Sequence, residues 1–168
     1  MRRQILLSMG WTVLVLAMAV SAANAEDRTG MVGLSASIQE SQLDIMLPIW
    51  ASPRVVVTPS VSVIRVSDVV SDFGAGLMIR VNVQTGDAVP YLGARFGMLR
   101  RSPENIDATT DYYYGPAGGG EYFLSEHFSL GVEAQLNITK SDDNSTRFGN
   151  PGGTNINTAT AVLATFYF

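Results

Sequence analysis

Residues 128–139 read FSLGVEAQLNIT, and they alternate strictly between two kinds of side chain. Every second residue from Phe128 to Ile138 is apolar, whereas the intervening residues from Ser129 to Thr139 are small or polar. Successive side chains of a β-strand point to opposite faces of its sheet, so this stretch predicts a strand with one apolar face and one polar face. Residues 73–84 and 90–98 alternate in nearly the same way.

The same period of two continues through most of the chain after residue 30. We expect tight turns at residues 51–54, 85–88 and 125–127, and two long polar loops at the opposite end, at 101–109 and 141–157. An even number of strands joined in hairpins predicts an all-β fold, an eight-stranded antiparallel up-and-down barrel. The predicted strands lie near residues 31–39, 42–52, 54–67, 71–84, 88–100, 110–125, 127–140 and 157–168.

The composition of the polar faces indicates which face of this barrel meets water. A water-soluble barrel would carry its apolar side chains inside and many charged residues outside. Only 15% of the residues are charged, against roughly 25% in soluble domains, and the polar faces hold mainly Gly, Ser, Thr, Asn and Gln. We therefore expect a transmembrane barrel whose apolar face meets lipid.

Aromatic residues fall near both ends of the predicted strands, as in the interfacial belts of membrane barrels. Tyr112 and Tyr114 lie near the end that carries the long loops. Counting along the second strand places Trp50 on the inner face, unless a bulge at Pro48 shifts the alternation. The aromatic residues near the tight turns are Tyr122, Phe128, Phe166 and Phe168.

Residues 1–25 have the three parts of a secretory signal peptide. A basic start precedes an apolar run at residues 5–20, and residues 23–25 (Ala-Asn-Ala) provide a cleavage site before an acidic stretch. We expect cleavage after Ala25, so that residues 1–25 are the signal peptide and residues 26–168 are the barrel domain. A retained membrane anchor is the alternative.

The charge and the residue types of the predicted mature chain exclude several classes of function. Removal of two arginines with the signal peptide leaves nine of the 11 basic residues against 15 acidic ones, so nucleic-acid binding is not expected. The chain has no cysteine, and His127 is its only histidine, which argues against disulfides, cysteine zinc sites and multi-histidine metal sites. We expect no cofactor and no metal.

Charged residues on the inner face of the predicted barrel form a candidate site. An eight-stranded barrel is only wide enough to be filled by side chains, and an unpaired buried charge costs several kcal/mol. We therefore expect Arg80 and Arg95 to pair with Glu121 and Glu133 in a network that plugs the lumen. The network either fixes the interior or acts as a gate that opens when its pairs rearrange. The inner-face charges are Asp44, Arg80, Arg95, Glu121 and Glu133.

Two further patterns suggest chemistry that the predicted architecture disfavours. Glu121 and Glu133 suggest the acid/base pair of a glycosidase, but a filled barrel offers no substrate cleft. Residues 142–145 (DDNS) resemble part of a calcium loop, without its later glutamate, and we expect a solvated loop there. This loop would lie in an external face made acidic by Asp68, Asp72, Glu104, Asp107 and Asp111.

The chain resembles the small eight-stranded outer-membrane proteins, which include the transmembrane domain of OmpA, OmpX and the opacity proteins. Residues 120–133, GEYFLSEHFSLGVE, are similar to the penultimate hairpin of these proteins. The terminal residues 166–168 resemble the signal that their assembly machinery recognises, with Phe166 and Phe168 as its aromatic residues. Because nothing follows Phe168, the peptidoglycan-binding domain of OmpA is expected to be absent.

The resemblance implies an outer-membrane protein of a Gram-negative-type bacterium, with its N- and C-termini in the periplasm. Its implied partners are outer-membrane lipid, lipopolysaccharide and the β-barrel assembly machinery. The sequence predicts a structural or surface-interaction role, in which the external loops contact a ligand or a host surface. A narrow porin or gated channel for small solutes is the alternative.

A third hypothesis is a lipid A-modifying enzyme. His127-Phe128-Ser129 resembles the His-x-Ser pattern of outer-membrane lipid A deacylases, in which a histidine activates a serine nucleophile. This pattern lies at a predicted periplasmic turn, whereas lipid A occupies the outer leaflet. We therefore expect no enzymatic activity.

Overall fold

A computed structural model of the chain describes residues 27–39, 42–67, 70–103 and 107–168. The predicted signal peptide and its cleavage site lie outside these residues. No helix among the described residues is long and apolar enough to cross a membrane. The described residues form nine strands, namely β1 (Gly33–Gln39), β2 (Gln42–Met46), β3 (Ile49–Trp50), β4 (Val55–Ser67), β5 (Val70–Asn82), β6 (Ala88–Pro103), β7 (Thr109–Phe123), β8 (Phe128–Lys140) and β9 (Thr154–Tyr167).

The sheet closes because β1 pairs with β9 and β2 pairs with β4, each in antiparallel register. β2 and β3 occupy one position in the wall, so the nine strands form an eight-stranded antiparallel barrel. The predicted all-β fold class is confirmed. Short connections at residues 51–54, 83–87 and 124–127 match the predicted tight turns.

The interruption between β2 and β3 follows from Pro48, which has no amide hydrogen to donate to a β-ladder. Just before it, Leu47 N still donates to Pro59 O at 2.9 Å. The alternation of side chains survives the interruption, because Ile45 is exposed and Trp50 is buried. The prediction that Trp50 faces the barrel interior is confirmed.

Two strands extend further at the end opposite the tight turns than local composition predicts. β6 continues to Pro103, and β9 begins at Thr154. Pairing with neighbouring strands gives backbone partners to polar residues that local composition assigns to loops. The last loop therefore comprises residues 141–153 and is shorter than the predicted 141–157.

The outside of the barrel is an apolar band with aromatic residues at both edges. Tyr112 and Tyr122 mark the two edges on β7. At roughly 3.3 Å per residue and a tilt of roughly 40°, these edges are about 25 Å apart, which is the height of the apolar band of a transmembrane barrel. The predicted outward orientation of the apolar face is confirmed. Other exposed side chains of the band are Leu34, Ile38, Ile79, Leu92, Tyr114, Phe128, Val132, Val162 and Phe166.

Small residues on the inner face leave room for large side chains across the lumen. Gly97 of β6 pairs with Gly76 of β5 on one side and with Tyr113 of β7 on the other. A β-carbon added at Gly97 would lie 2.5 Å from both Ala75 O and Tyr113 Oη, which is closer than such atoms pack. The absence of a side chain at Gly97 therefore allows the Tyr113 side chain to lie inside the barrel.

Candidate functional site

The barrel interior has three levels between two ends, which we name by their connections. The turn end lies at residues 51–54, 83–87 and 124–127, and the loop end lies at residues 141–153. Aromatic side chains fill the turn end, a buried ion pair lies next to them, and a cavity lies beneath the loop. The charged residues that the sequence places on the inner face lie within these levels.

Aromatic rings fill the lumen at the turn end. Phe123 and Tyr167 stack with their ring centroids 5.5 Å apart, and Trp50 lies 6.3 Å from Phe123 and 6.5 Å from Tyr167. These rings are at most 5% exposed and pack with Val56 and Val89. We call these five residues the aromatic closure. The prediction that charged and polar side chains plug the lumen is therefore incomplete, because apolar rings fill this level.

Arg28, which precedes β1, covers the aromatic closure. Its guanidinium carbon lies 3.7 Å from the ring centroid of Phe123 and 5.8 Å from that of Trp50. Its Nη1 donates to Gly86 O at 3.1 Å, and the residue is 2% exposed. A desolvated cation on an aromatic face gains about 2 kcal/mol. Sequence reasoning missed Arg28, because no periodic pattern marks a residue that lies before the first strand.

A buried ion pair of Arg80 and Glu121 lies next to the aromatic closure. Glu121 also accepts hydrogen bonds from Tyr167 Oη, at 2.7 Å, and from Ser129 Oγ. Arg80 lies over the ring of Tyr91, with 4.6 Å between the guanidinium carbon and the ring centroid. The carboxylate thus has one cation and two hydroxyl donors, which offset the cost of burying it.

Glu133 lies nearer to the loop end and has neutral partners. It accepts hydrogen bonds from Tyr91 Oη at 2.9 Å and from Gln135 Nε2 at 2.7 Å. Tyr91 therefore contacts Glu133 through its hydroxyl and Arg80 through its ring. The structure brings Arg80 and Glu121 together, and it connects Glu133 to them through Tyr91 rather than through an arginine.

Arg95 and Asp44 complete the set of charges that the sequence places in the lumen. Arg95 lies over the Tyr113 ring at 5.6 Å, and Asp44 is buried on β2. Among the described residues, Arg95 forms no ion pair with a glutamate, although Arg95 and Glu133 line the same small cavity. The Glu133 oxygens instead accept hydrogen bonds from Tyr91 and Gln135.

Arg147 of the last loop folds over the loop end and joins two strands. Its Nη2 lies 2.9 Å from Asp72 Oδ2 on β5, and its Nε lies 3.4 Å from Asp111 Oδ2 on β7. Asp111 also accepts hydrogen bonds from Asp142 N and from Ser145 Oγ, both at 2.9 Å. We call these five residues the loop latch.

The loop latch corrects part of the expected acidic external face, because Asp72 and Asp111 are buried. Asp107, Asp143 and Asn144 are exposed, and Asp68 and Glu104 lie outside the described residues. Ser145 is also buried and donates to Asp111 Oδ2. Each Asp72 oxygen faces an arginine, with Oδ1 3.7 Å from Arg101 Nε and Oδ2 2.9 Å from Arg147 Nη2. Asp72 and Asp111 both fall at inward positions of their strands, near the mouth of the lumen. Two carboxylates placed there indicate that a cation lies close to them. Sequence reasoning missed Arg147 as that cation, because a loop residue has no strand register that would place it.

A cavity of about 210 Å³ lies beneath the loop latch. Arg95, Tyr113, Gln135 and Arg147 line it, among others. A second cavity of about 20 Å³ lies deeper, beside Glu133, and has room for about one water molecule. The interior therefore narrows from the loop end towards the ion pair.

The candidate catalytic and metal-binding patterns do not assemble into a site. Ser129 is buried and donates to Glu121, whereas His127 is exposed in the connection 124–127. Within the part of the chain that the structure describes, no group of three His, Cys, Asp or Glu side chains could hold a metal ion. The arrangement of the inner-face groups neutralises buried charge and fills the lumen.

By sequence, no protein-family model and no curated protein match this chain. By structure, solved outer-membrane proteins do. The N-terminal β-barrel domain of Pseudomonas aeruginosa OprF is similar over 85% of this chain and 100% of that chain, with 16% identity and a TM-score of 0.57. Neisserial surface protein A (NspA) is similar over 82% of this chain and 94% of that chain, with 13% identity and a TM-score of 0.55. The chain therefore has the fold of the small eight-stranded outer-membrane β-barrels, which its sequence resembles.

Proposed function

We propose that this protein is a closed, non-conducting barrel of the outer membrane with a structural or surface-interaction role. The apolar band with aromatic edges supports its placement in a membrane, and its fold is that of outer-membrane barrels. In this proposal the loop end faces the outside of the cell. The turn end, where β1 begins and β9 ends, faces the periplasm.

The closure of the turn end is the observation that carries the proposal. The aromatic closure fills the lumen under the cover of Arg28, and the pair of Arg80 and Glu121 lies next to it. An eight-stranded barrel has room for little more than its own side chains. A solute would have to displace both levels in order to pass.

Planar-bilayer recordings of the folded protein test whether the barrel is closed. We expect no conductance steps from the wild type, and none from Glu133→Ala, because Glu133 lies on the loop side of the aromatic closure. A variant that combines Trp50→Gly and Phe123→Gly with Arg80→Ala and Glu121→Ala removes side chains from both levels and serves as an opened control. Steps from the wild type of the size that this control gives would contradict the proposal.

A narrow gated channel is the second candidate. It is supported by the two cavities, which provide polar space from beneath Arg147 as far as Glu133. The pair of Arg80 and Glu121 would then be the gate. Recordings of Glu121→Ala separate the two candidates: a silent variant supports the closed barrel, whereas steps that the wild type lacks support the gate.

The loop end supplies the contact surface in this proposal. The loop latch holds residues 141–153 against the barrel and leaves Asp143, Asn144 and Pro151 exposed. A loop that is ordered before binding loses less conformational entropy when a ligand or a host surface contacts it. We propose no enzymatic role, because the Ser129 hydroxyl donates its hydrogen bond to Glu121 inside the barrel, whereas His127 is exposed outside it.

The orientation of the barrel is testable because the chain has no cysteine. Asn144→Cys places a thiol in the exposed last loop, and Glu126→Cys places one in the exposed connection 124–127. A membrane-impermeant maleimide added to intact cells is expected to label Asn144→Cys, and to label Glu126→Cys only after lysis. The opposite pattern would contradict the proposed orientation.

We also propose that Phe166 and Phe168 are the assembly signal in the last strand. Both side chains are exposed on the outside of the barrel, whereas Tyr167 between them is buried. Phe168→Ala is expected to lower the amount of protein assembled in the outer membrane, and Tyr167→Phe, which keeps the inner ring, is expected to assemble normally. Equal assembly of wild type and Phe168→Ala would contradict this role.

A further inference from the structure

An apolar groove of about 510 Å³ lies on the outside of the barrel near the loop end. The backbone of Gly76 and Gly97 contributes to its lining, and Ala75 is its small side chain. The groove crosses three neighbouring strands and is open towards the surroundings of the apolar band. The outward residues that line it form two register rows, Ala75–Met98–Tyr112 and Leu77–Phe96–Tyr114.

Two cations lie on the loop side of this groove. Arg100 follows Met98 on the outward face of β6, and Lys140 of β8 is the register partner of Tyr112. Both are exposed, and Lys140 Nζ donates one hydrogen bond to Gly152 O, which leaves two of its three donors. The spacing of strands and residues puts their Cα atoms about 12 Å apart, so the two long side chains can reach one ligand.

At the outward strand positions whose side chains the structure describes, the charged residues lie on one side of the barrel. Among the outward strand positions whose side chains the structure describes, Arg100 and Lys140 are the charged ones. The outward residues near the loop end of β1 and β9 are the exposed Ile38 and Ile156. If these cations only anchored the rim of the barrel to lipid head groups, we would expect cations all around the rim. Arg100 and Lys140 instead both lie beside the groove.

We infer that the groove and the two cations together bind an acylated, phosphate-bearing glycolipid, which is the chemistry of lipid A in lipopolysaccharide. An acyl chain would lie in the groove, and phosphate would meet Arg100 and Lys140. Tyr112 and Tyr114 lie where amphipathic rings contact the head-group level of a membrane. The inference rests on the proposed orientation, which puts the groove in the outer leaflet.

Native mass spectrometry of the folded barrel in detergent, with added diphosphoryl lipid A, tests the inference. The wild type is expected to retain lipid A, and Arg100→Gln to bind it about fivefold more weakly. Combining Arg100→Gln with Lys140→Gln is expected to weaken binding about thirtyfold. Arg54→Gln, in the exposed connection 51–54 at the turn end, is the matched control and is expected to bind as the wild type does.

The groove has its own pair of variants. Ala75→Trp fills the groove without changing a charge and is expected to weaken binding, whereas Ala164→Trp places the same ring on the outward face of β9, which does not line the groove, and is expected to bind normally. Heat-dependent migration on gels confirms that each variant is folded. Arg100→Gln retains one cation and the bond between Lys140 and Gly152, so it tests the site even if Lys140→Gln disturbs the loop.

Two results would overturn the inference. One is equal binding of lipid A by the wild type and by the variant that lacks both cations; the other is equal binding of lipid A after removal of its phosphates. Binding of phosphatidylglycerol as tight as that of lipid A would overturn the assignment to a glycolipid. These measurements are made in detergent, so their failure is distinct from failure of the conductance and labelling tests of the proposed function.

Discussion

Arg147 Nη2 lies 2.9 Å from Asp72 Oδ2, although Arg147 belongs to the last loop and Asp72 to β5, on the other side of β6, β7 and β8. The contact crosses the mouth of the barrel instead of joining neighbours in the chain. Asp111 of β7 takes part through Arg147 Nε at 3.4 Å. One side chain therefore ties the last loop to two separate strands, and substitution of that side chain is expected to release it.

Arg147→Ala is expected to free the last loop and to destabilise the barrel by about 1–3 kcal/mol. The variant leaves Asp111 buried without this cation and leaves Asp72 with Arg101, whose Nε lies 3.7 Å away. Partial exposure of Arg147 reduces the cost below that of a fully buried pair. Limited proteolysis should cut within residues 141–153 faster than in the wild type. Arg54→Ala, which removes an exposed arginine at the turn end, should leave that rate unchanged; similar rates for both variants would argue against the latch.

Arg28→Ala is expected to expose the aromatic closure to water. The chain has two tryptophans, and Trp11 lies in the predicted signal peptide, so Trp50 is the fluorescent reporter in protein folded from residues 26–168. Removal of the guanidinium from the Phe123 ring should increase acrylamide quenching of Trp50 and shift its emission to longer wavelength. Unchanged quenching would show that Arg28 does not cover the ring.

Removal of both partners of the inner ion pair is expected to cost less than the sum of the two single removals. Arg80→Ala and Glu121→Ala each leave a buried charge and should destabilise the barrel by about 3–5 kcal/mol. Their combination should cost less than the sum of the two, because no isolated charge remains. Denaturant unfolding of the four proteins in one detergent measures the coupling; additive costs would contradict a direct pair.

Gly97→Ala is expected to destabilise the barrel by about 1–3 kcal/mol, because the new β-carbon would overlap Ala75 O and the Tyr113 hydroxyl. Gly120→Ala is the matched control, since no atom lies within 4 Å of a β-carbon added there. The difference in denaturation midpoint between the two variants measures the effect. Equal midpoints would mean that Tyr113 moves away at no cost.

The carboxyl group of Asp27 is expected to titrate below its ordinary pKa of 3.8, because the Thr29 hydroxyl and then the Thr29 amide donate to it. A lowered folded-state pKa stabilises this turn above the ordinary value, and the contribution is lost as pH falls through the lowered value. The carboxyl ¹³C shift measures the midpoint. Thr29→Val should raise it and Thr29→Ser should preserve it, whereas an unchanged midpoint in Thr29→Val would rule out the hydroxyl as the main cause.

The alternation of residue types predicts the wall of this barrel well, because strand period and lipid exposure act on every residue in the same way. It places Trp50 inside and Tyr112 outside, in agreement with the structure. It is less accurate at strand ends such as Pro103 and Thr154, where pairing with a neighbour decides the conformation of polar residues.

The interior is harder to predict than the wall, because contacts across the lumen depend on relative strand height. The inner-face position of Arg80 and Glu121 follows from parity, but the choice of Tyr91 and Gln135 rather than an arginine as partners of Glu133 depends on contacts across the lumen. Arg28 and Arg147 come from segments without periodicity. Their contacts with Phe123 and Asp72 depend on how the chain bends outside the strands.

The break at Leu47 and Pro48 makes the wall uneven in its resistance to local opening. The pairing between β2 and β4 is short, with residues 44–46 opposite residues 60–62. The pairing between β6 and β7 is long and runs from Ala88 to Arg101 of β6. Amide hydrogens beside the break should exchange with solvent sooner than those of the long hairpin. If the barrel parts during insertion of the last strand or uptake of a lipid, the seam at Pro48 has fewer register pairs to undo than the long β6–β7 hairpin.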